Sequence, residues 1–339
     1  MKIVCYADDE RSNFGDDLNR WLWARLLGFP LDVDDGNLVL GIGTVISRSL
    51  IPFAKRYIVL SSGAGYDAPP LDFGGPKWEV LSVRGPLTAA ALSLPPEKAI
   101  IDGAALLRLL PECEPLPEAQ RKGIVFMPHY DSLPGGNWLQ VCEMAGVEFL
   151  DPLADSEQTV QRIRKARLVI ADAMHAAIVA DALRVPWIPV ALSPQHNTFK
   201  WLDWTMSLNL PYEPAMLPPS TLLESVRYRS LRLIGPRTSF EDRDPSKAIE
   251  HYARFMRLKS WRYWPLWRRW GTRIAYSIPK RICTAAALTG FKKEQDQART
   301  LRAAEQLRQV VELPSYLSNE LLFMSRLEQL ANLLPKIRP

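Results

Sequence analysis

The strongest constraint on the fold is a series of uninterrupted apolar runs, separated by glycine and by stretches with helical periodicity. Four runs occur in the first hundred residues, at 3–6, 38–43, 57–60 and 78–83. Runs of this length are typical of strands buried on both faces of a parallel sheet. Residues 16–27 have helical periodicity, and Gly28 is a suitable helix stop. This alternation predicts an α/β fold with a parallel, doubly wound sheet.

The same alternation begins again after residues 111–121, which are rich in proline and glutamate. Strands are expected at 123–129, 147–150, 168–170 and 187–190. Helices are expected after Asn137, up to about residue 166 and over 174–184. A chain of 339 residues exceeds what one core usually supports. We predict an N-terminal Rossmann-like domain at 1–115, a C-terminal Rossmann-like domain at 122–245 and a helical, basic and aromatic extension at 246–339.

Composition excludes several classes of protein. A chain with 47% hydrophobic and 23% charged residues is globular rather than disordered. The apolar stretch at the N-terminus is too short for a signal peptide or a membrane span. The four cysteines contain no C-x-x-C pair, which argues against a zinc site and a disulfide framework. We expect no metal and a cytoplasmic protein, which can be peripheral on the inner face of the cytoplasmic membrane.

Small and polar residues follow the first two apolar runs, where strands of a parallel sheet would end. Asn13, Gly15 and Asp16 follow the first run, and Gly43 and Thr44 follow the second. Free N–H groups at the start of the next helix suit a phosphate or a carboxylate. A plain strand-to-helix turn with an aspartate cap explains the first group as well. A single G-x-G is weak support for a binding loop.

Charged and titratable residues follow three further runs. Arg84 follows the run at 78–83, where a guanidinium can hold a carboxylate or phosphate, or cap a surface turn. His129 follows the run at 123–129, and Asp172 and His175 follow the run at 168–170. Ligands of open α/β sheets gather at the carboxyl ends of the strands. A histidine there can act as a general acid or base, or be a hydrogen-bonded core residue.

In their order along the chain, these segments resemble the polysaccharide pyruvyltransferase family. The resemblance covers residues 1–205 and is closest to the succinoglycan-type exopolysaccharide pyruvyltransferases. It rests on N-F-G-D-D-L-N-x-W from Asn13, G-x-G from Gly41, V-R-G-P-L-T around Arg84, D-G-A-A-L-L from Asp102, P-H at His129, A-M-H-A-A-I-V-A-D-A around His175 and F-K-W-x-D-W around Lys200.

The resemblance implies a GT-B-like pair of Rossmann-type domains with the active site between them. It implies transfer of the enolpyruvyl group of phosphoenolpyruvate to two hydroxyls of one sugar, without a cofactor. Arg84 would hold an anionic group of the donor, and His175 would bind the donor or protonate its enol carbon. The arginine beside the family's histidine is absent here, as is its common lysine, for which Lys200 and His196 are candidate replacements. The substrate-binding candidates are Asn13, Gly15, Asp16, Gly43, Thr44, Asp102, His129, Asp172 and Lys200.

The last third of the chain is strongly basic. Residues 251–339 contain 17 Lys and Arg and 6 Asp and Glu, and residues 251–293 contain 11 basic and no acidic residues. Trp261, Trp264, Trp267 and Trp270 are spaced by three. Basic residues interleaved with tryptophan predict contact with an anionic membrane surface. Packing on the N-terminal domain and binding of single-stranded nucleic acid are alternatives, but no other motif supports nucleic acid.

Pro265 should start or break a helix in the basic segment, and Pro314 should separate two amphipathic helices over 297–335. The expected acceptor is a lipid-linked saccharide, because a lipid-borne substrate would explain the basic, aromatic C-terminal segment. Two other functions remain open at this point. One is a GT-B glycosyltransferase that uses a nucleotide sugar, and the other is a non-catalytic, membrane-associated scaffold of polysaccharide assembly.

Overall fold

A computed structural model of the chain describes residues 1–5, 13–194, 196–234, 243–288 and 290–338. The fold is mixed α/β and contains two parallel sheets. The first sheet has the order β1-β2-β3-β4, with strands β1 (Lys2–Ile3), β2 (Asn37–Leu40), β3 (Arg56–Ser62) and β4 (Trp78–Val83). Its helices are α1 (Phe14–Leu27) and α2 (Pro86–Ala91).

The first sheet differs from the prediction in its winding. Its four strands lie in chain order without a reversal, so a doubly wound arrangement is wrong for this sheet. Loops, and no α-helix, join β2 to β3 and β3 to β4. Strand β1 covers only Lys2–Ile3 of the run predicted to reach Tyr6, and Tyr6 lies outside the described residues. Helix α1 ends as expected at Gly28, whose φ of 76° is left-handed.

The second sheet has the order β6-β5-β7-β8-β9. Its strands are β5 (Ile124–Met127), β6 (Glu148–Phe149), β7 (Leu168–Ala171), β8 (Trp187–Ala191) and β9 (Ala215–Met216), and all pair in parallel. Its helices are α3 (Trp138–Ala145), α4 (Ser156–Lys165), α5 (Met174–Ala182) and α6 (Thr198–Ser207). The strand order reverses at β5, because β6 lies on one side of it and β7 on the other. The loops that follow β5 and β7 therefore border a topological switch point, which is where open α/β sheets bind ligands.

In the described part of the chain, the second sheet is followed by the α-helices α7 (Leu222–Ile234), α8 (Pro245–Lys259), α9 (Trp264–Thr272), α10 (Ile278–Ala287), α11 (Phe291–Val311) and α12 (Glu320–Ala331). A π-helical segment, Arg273–Ser277, joins α9 to α10. Pro265 lies in the first turn of α9, and Pro314 separates α11 from α12, as predicted. No helix in the described residues is both long and apolar enough to span a bilayer.

The extension is not a detached tail. Helix α8 packs on helices α2 and α6, but it contains none of the four tryptophans, and Trp261 and Trp270 remain exposed. Helix α11 packs on α3, and its Ala303, Leu307 and Val310 belong to the core of the second sheet. Another core cluster joins α1 to α5 across the two sheets. Because apolar packing of this kind is the main stabilising contribution to folding, the two sheets hold a fixed relative position.

Candidate functional site

A cleft lies between the two sheets, at the carboxyl ends of their strands. Its main cavity has a volume of about 330 Å³, and a smaller cavity of about 50 Å³ adjoins it. Both are lined by Tyr66, His129, Met174 and Lys200. The smaller one is also lined by Asn13, Gly15, Asp16, Thr44 and His175. The structure therefore brings most of the predicted site residues into one place.

Lys200 supplies a positive charge to both cavities. Asn197 caps the start of α6 by accepting a hydrogen bond from the backbone N–H of Lys200, at 3.4 Å. Asn197 also donates to the carbonyl of Gly65 across the cleft, at 3.1 Å. The Nζ atom of Lys200 donates to Tyr66 Oη at 2.9 Å. Lys200 is thus held at the junction of the two sheets, where it can contact an anion in either cavity.

Asp16 is a buried carboxyl group beside this positive charge. Only 6% of its surface is exposed, and Asn13 Nδ2 donates to its Oδ2 at 2.7 Å. Burial raises the pKa of Asp16 to about 7, in spite of the opposing charge of Lys200. Gly43 has a φ of 103°, and a Cβ there would lie 2.6 Å from Asp16 Oδ1. The glycine therefore makes room for a carboxyl group that can carry a proton near neutral pH. The cap of α1 is Asn13 and not an aspartate, which corrects the simpler prediction.

His175 and Asp102 form a second buried pair. His175 Nε2 lies 4.0 Å from Asp102 Oδ2, and neither atom has a hydrogen-bond partner in the described part of the chain. Asp102 is fully buried, and its other oxygen accepts from the N–H of Ala104 at 2.9 Å. Burial lowers the pKa of His175 to about 3 and raises the pKa of Asp102 to about 6. The imidazole is therefore neutral near pH 7, and burial makes it a weak base in this environment.

Asp172 holds together the loops that follow β5, β7 and β8. Its carboxylate accepts from the N–H of His129 at 2.8 Å, from Ser132 Oγ at 3.2 Å and from the N–H of Leu192 at 3.3 Å. His196 Nδ1 lies 3.2 Å from the same carboxylate. Burial opposes ionisation of Asp172, but the hydrogen bond from His196 and the nearby histidines keep its pKa below the usual value. Asp172 lines the main cavity mainly as a positioning residue.

The two histidines around Asp172 differ in their freedom to bind a ligand. His196 also hydrogen-bonds Tyr212 Oη through Nε2, so both of its ring nitrogens have protein partners. His129 accepts from the N–H of Asp131 at 3.3 Å and lines both cavities. Burial lowers the pKa of His129, which favours its neutral form. Of the two candidate replacements for the missing lysine, the geometry favours Lys200 over His196.

Arg84 has a different environment from the predicted one. Its side chain lies at the carboxyl edge of the first sheet but is fully buried, so its guanidinium contacts protein groups and lines neither cavity. Nε donates to Asp203 Oδ2 at 2.9 Å, and the two Nη atoms donate to Thr44 Oγ1 at 3.2 Å and to the carbonyl of Ala64 at 2.9 Å. The physical reason is Asp203, a buried carboxylate on α6 that pairs with this charge.

Sequence reasoning missed the role of Asp203. Its Oδ1 accepts from the N–H of Thr88 at 2.8 Å, and its Oδ2 accepts from Thr88 Oγ1 at 2.6 Å. A Cβ at Gly85 would lie 1.8 Å from the carbonyl oxygen of Asp203, so only glycine fits there. Asp203 thus joins α6 to the start of α2. The one available signal was an isolated acidic residue between two tryptophans of the F-K-W-x-D-W segment.

Two further wall residues had no sequence signal. Tyr66 lies in the loop after β3 and meets Lys200 both through its hydroxyl and through its ring, 4.5 Å from Nζ. Arg227, on α7, lies 4.5 Å from the ring of Tyr276 and lines the main cavity. Among the described residues, no group of three or more His, Cys, Asp or Glu side chains could hold a metal ion.

The fold and the cleft together define a class of protein: an α/β protein with two parallel sheets and a cleft in which a lysine lies beside titratable groups. Comparison with known sequences is more specific. The sequence profile of the family described as polysaccharide pyruvyl transferase matches residues 135–194. Over 222 residues the chain is 41% identical to the succinoglycan biosynthesis protein ExoV of Rhizobium meliloti (strain 1021), covering 65% of this chain and 69% of that protein. The chain belongs to the polysaccharide pyruvyl transferase family and is a polysaccharide pyruvyltransferase.

Proposed function

We propose that the enzyme transfers the enolpyruvyl group of phosphoenolpyruvate to two hydroxyls of one sugar in an exopolysaccharide repeat unit, forming a pyruvate ketal. The observation that carries this proposal is the convergence of Lys200, Asp16 and His175 on one small cavity between the sheets. Such a site offers a positive charge to an anionic donor and two groups that can move protons. The arrangement of the two sheets is compatible with a GT-B-like cleft.

The reaction needs one proton donor and one proton acceptor. The methylene carbon C3 of the donor takes up a proton, which leaves positive charge on C2. The oxygens of two sugar hydroxyls bond to C2, and the bond from C2 to the phosphate oxygen breaks. The two hydroxyl protons lost balance the proton gained by C3 and the proton taken by the released phosphate. No oxidant, reductant or cofactor enters this balance.

The side chains of the small cavity fit these two roles. Asp16 is buried and holds a proton near neutral pH, so it is assigned as the donor to C3. His175 is assigned as the base that accepts a proton from an attacking hydroxyl, and the negative charge of the bound donor would raise its pKa of about 3 toward the working range. Protonation of His175 would place a positive charge 4.0 Å from Asp102, whose unpartnered oxygen could then accept a charge-assisted hydrogen bond.

The acceptor is proposed to be a saccharide carried on a lipid. Aromatic side chains line the main cavity, including Tyr66, Trp201, Tyr228 and Tyr276. Their apolar faces and hydroxyl groups suit sugar rings, because ligand sites combine apolar walls with a few polar contacts. The relative from Rhizobium meliloti is named for succinoglycan biosynthesis, which supports an exopolysaccharide repeat as the acceptor.

The direct test is phosphate release from phosphoenolpyruvate in the presence of a membrane extract of lipid-linked oligosaccharides, with mass spectrometry of the sugar product. We expect release that depends on the extract and a product that gains one pyruvate as a ketal. Uridine and guanosine diphosphate sugars serve as comparison donors. Turnover of a nucleotide sugar without any use of phosphoenolpyruvate would identify a glycosyltransferase. Binding to assembly partners without turnover of any donor would identify a scaffold.

Replacing Lys200 by methionine should weaken binding of phosphoenolpyruvate by about 10- to 100-fold, because a hydrogen bond to a charged group contributes about 1.5–3 kcal/mol. Methionine keeps the apolar stem that packs near Gly65. Calorimetric titration with phosphoenolpyruvate measures the effect. Lys122→Met, at an exposed lysine outside the cleft, is the control and should leave binding unchanged. Equal affinities for wild type and Lys200→Met would remove Lys200 from the donor site.

Gly15→Ala should abolish most activity while the protein stays folded. A Cβ at residue 15 would lie 1.8 Å from Nδ1 of His175, so the imidazole must leave its position in the small cavity. A displacement of this size in an active site can cost about 100-fold in rate. Gly28→Ala, at the other end of α1, meets nothing within 4 Å but has a φ of 76°. The control should therefore lose stability and keep its kcat, and the opposite pattern would contradict the assignment of His175.

A further inference from the structure

The helical stretch from Trp264 to Ala287 has an exposed apolar side. Helix α9, the π-helical segment and α10 follow one another without a break. Five large apolar residues on it are spaced by four and have 36–63% of their surface exposed. They form what we call the apolar stripe: Leu266, Trp270, Ile274, Ile278 and Ile282. Single exposed apolar residues are ordinary, but a row of five along one helical stretch is not.

The π-helical segment keeps this row aligned. In an α-helix a spacing of four residues overshoots one turn by about 40°, so five such residues would wind around the axis. The i→i+5 bonding of Arg273–Ser277 widens the turn and rotates the following residues back. The buried residues Ala275, Pro279 and Cys283 follow the same spacing of four. One side of the helix is therefore buried along its second half while the apolar stripe stays outside.

Positive charge borders the apolar stripe. Arg269, Arg273 and Arg281 directly precede Trp270, Ile274 and Ile282, so each lies about 100° around the helix from a residue of the stripe. All three arginines are exposed. No acidic residue occurs between positions 251 and 293. An apolar row with arginine beside it, on a segment without acidic residues, matches the surface of an anionic bilayer better than it matches another protein.

The apolar stripe is close to the catalytic cleft. Tyr276 belongs to the same π-helical segment as Ile274, and its side chain lines the main cavity. Arg227 lies over the ring of Tyr276 and ties this segment to α7. One helical stretch therefore contributes to the wall of the cavity and also carries the exposed apolar row. A surface covering the apolar stripe would lie next to the place where a large acceptor enters.

We infer that the apolar stripe is a membrane-docking surface, lying in the plane of the interface of a bilayer that contains anionic phospholipid. Trp270 and the exposed Trp261 and Tyr263 would sit at the depth of the headgroups, with the arginines on the lipid phosphates. Docking at this surface would place the enzyme on the membrane. The inference rests on the proposed function only for the purpose of docking, which is to bring the cleft to a lipid-borne acceptor.

Flotation of the full chain with vesicles tests this inference. Vesicles of phosphatidylcholine alone are compared with vesicles of phosphatidylcholine and phosphatidylglycerol in a ratio of about 7:3, because binding should depend on anionic lipid. The test variant is Trp270→Glu/Ile278→Glu, within the apolar stripe. The control is Leu321→Glu on α12, an exposed leucine on a different helix. We expect wild type and control to float with the anionic vesicles and the test variant to bind at least about tenfold more weakly.

An activity assay with a soluble acceptor tests the proposed function independently of membrane docking. Pyruvyl transfer to a delipidated oligosaccharide should be equal in wild type and Trp270→Glu/Ile278→Glu, because neither residue lines the cavities. Absence of wild-type binding to anionic vesicles would overturn the docking surface, even if transfer occurs. A dimer seen by light scattering, lost in the test variant and unaccompanied by vesicle binding, would overturn it in favour of a second copy of the chain.

Discussion

Asp16→Asn is expected to lower kcat by about 10²- to 10⁴-fold, the usual contribution of a positioned general acid. The substitution keeps the size of the side chain and removes only the group that carries the proton. Because burial raises the pKa of Asp16 to about 7, its protonated form is depleted as the pH rises above 7. Wild-type kcat should therefore be level below this pH and fall about tenfold per unit above it. The variant should lack this alkaline limb.

The same substitution should stabilise the protein at alkaline pH. The folded-state pKa of Asp16 lies about three units above that of an exposed aspartate, so ionisation costs folding free energy progressively as the pH rises from about 4 to 7. Asparagine does not titrate, and the gain of Asp16→Asn over wild type should reach at most about 4 kcal/mol above pH 7. Urea unfolding at pH 5 and pH 8 measures it.

Asp17→Asn is the matched control for both measurements. Asp17 adjoins Asp16 in α1 but forms an ion pair with Arg20 at 3.0 Å and does not line the cavities. We expect its kcat to be close to that of wild type and its alkaline limb to persist, moved to lower pH because the Asp17 charge helps to raise the pKa of Asp16. An alkaline limb that persists in Asp16→Asn would show that another group supplies the proton to C3.

The second large effect is expected at the buried ion pair between the two sheets. Asp203→Ala should reduce the free energy of unfolding by about 3–5 kcal/mol, because it leaves the Arg84 guanidinium buried without its counter-charge. It also removes two hydrogen bonds from Thr88. Glu79→Ala breaks an ion pair with Arg56 whose two side chains are about 40% exposed. This control should cost less than about 1 kcal/mol.

A double-mutant cycle separates the structural role of Arg84 from a role in binding. Arg84→Met/Asp203→Leu should be less destabilised than the sum of the two single variants, because no unpaired charge remains. Affinity for phosphoenolpyruvate, measured on the folded fraction, should change little in Arg84→Met. A stable Arg84→Met variant that loses its affinity for the donor would restore the original prediction that this arginine contacts an anion.

The sequence predicted most of the secondary structure because its local signals were strong. Helix α1 ends at Gly28, α2 begins at Pro86 and α5 begins at Met174, where a glycine, a proline and an apolar periodicity mark them. The apolar runs at 38–43 and 57–60 correctly marked two strands, but they carry no information on winding. The first sheet lacks a reversal because loops, rather than helices, connect three of its strands.

The sequence was enough to select candidate site residues, but it did not show which side chains form hydrogen bonds or ion pairs with one another. Asp16 and His175 each adjoin a strand-to-helix turn, whereas Lys200 was selected as a candidate replacement for the lysine that the family resemblance implies. The partners of Arg84 were not accessible, because Asp203 is 119 residues away and its carboxylate is placed by the packing of α6 on α2. The pKa values of Asp16 and His175 likewise depend on burial that arises only when the two sheets pack together.

Helix α6 carries Lys200 and, three residues later, Asp203. One turn of this helix therefore supplies both the lysine that lines the cavities and the carboxylate that pairs with Arg84 of the first sheet. Many enzymes with two α/β lobes open and shut about a hinge to admit substrate. Opening here would have to separate Asp203 from Arg84 and Thr88 in a dry interior, and the same motion would withdraw Lys200 from the donor. We therefore expect the two sheets to stay together during turnover, with substrates and products exchanging through the side of the cleft that α7 and α8 line.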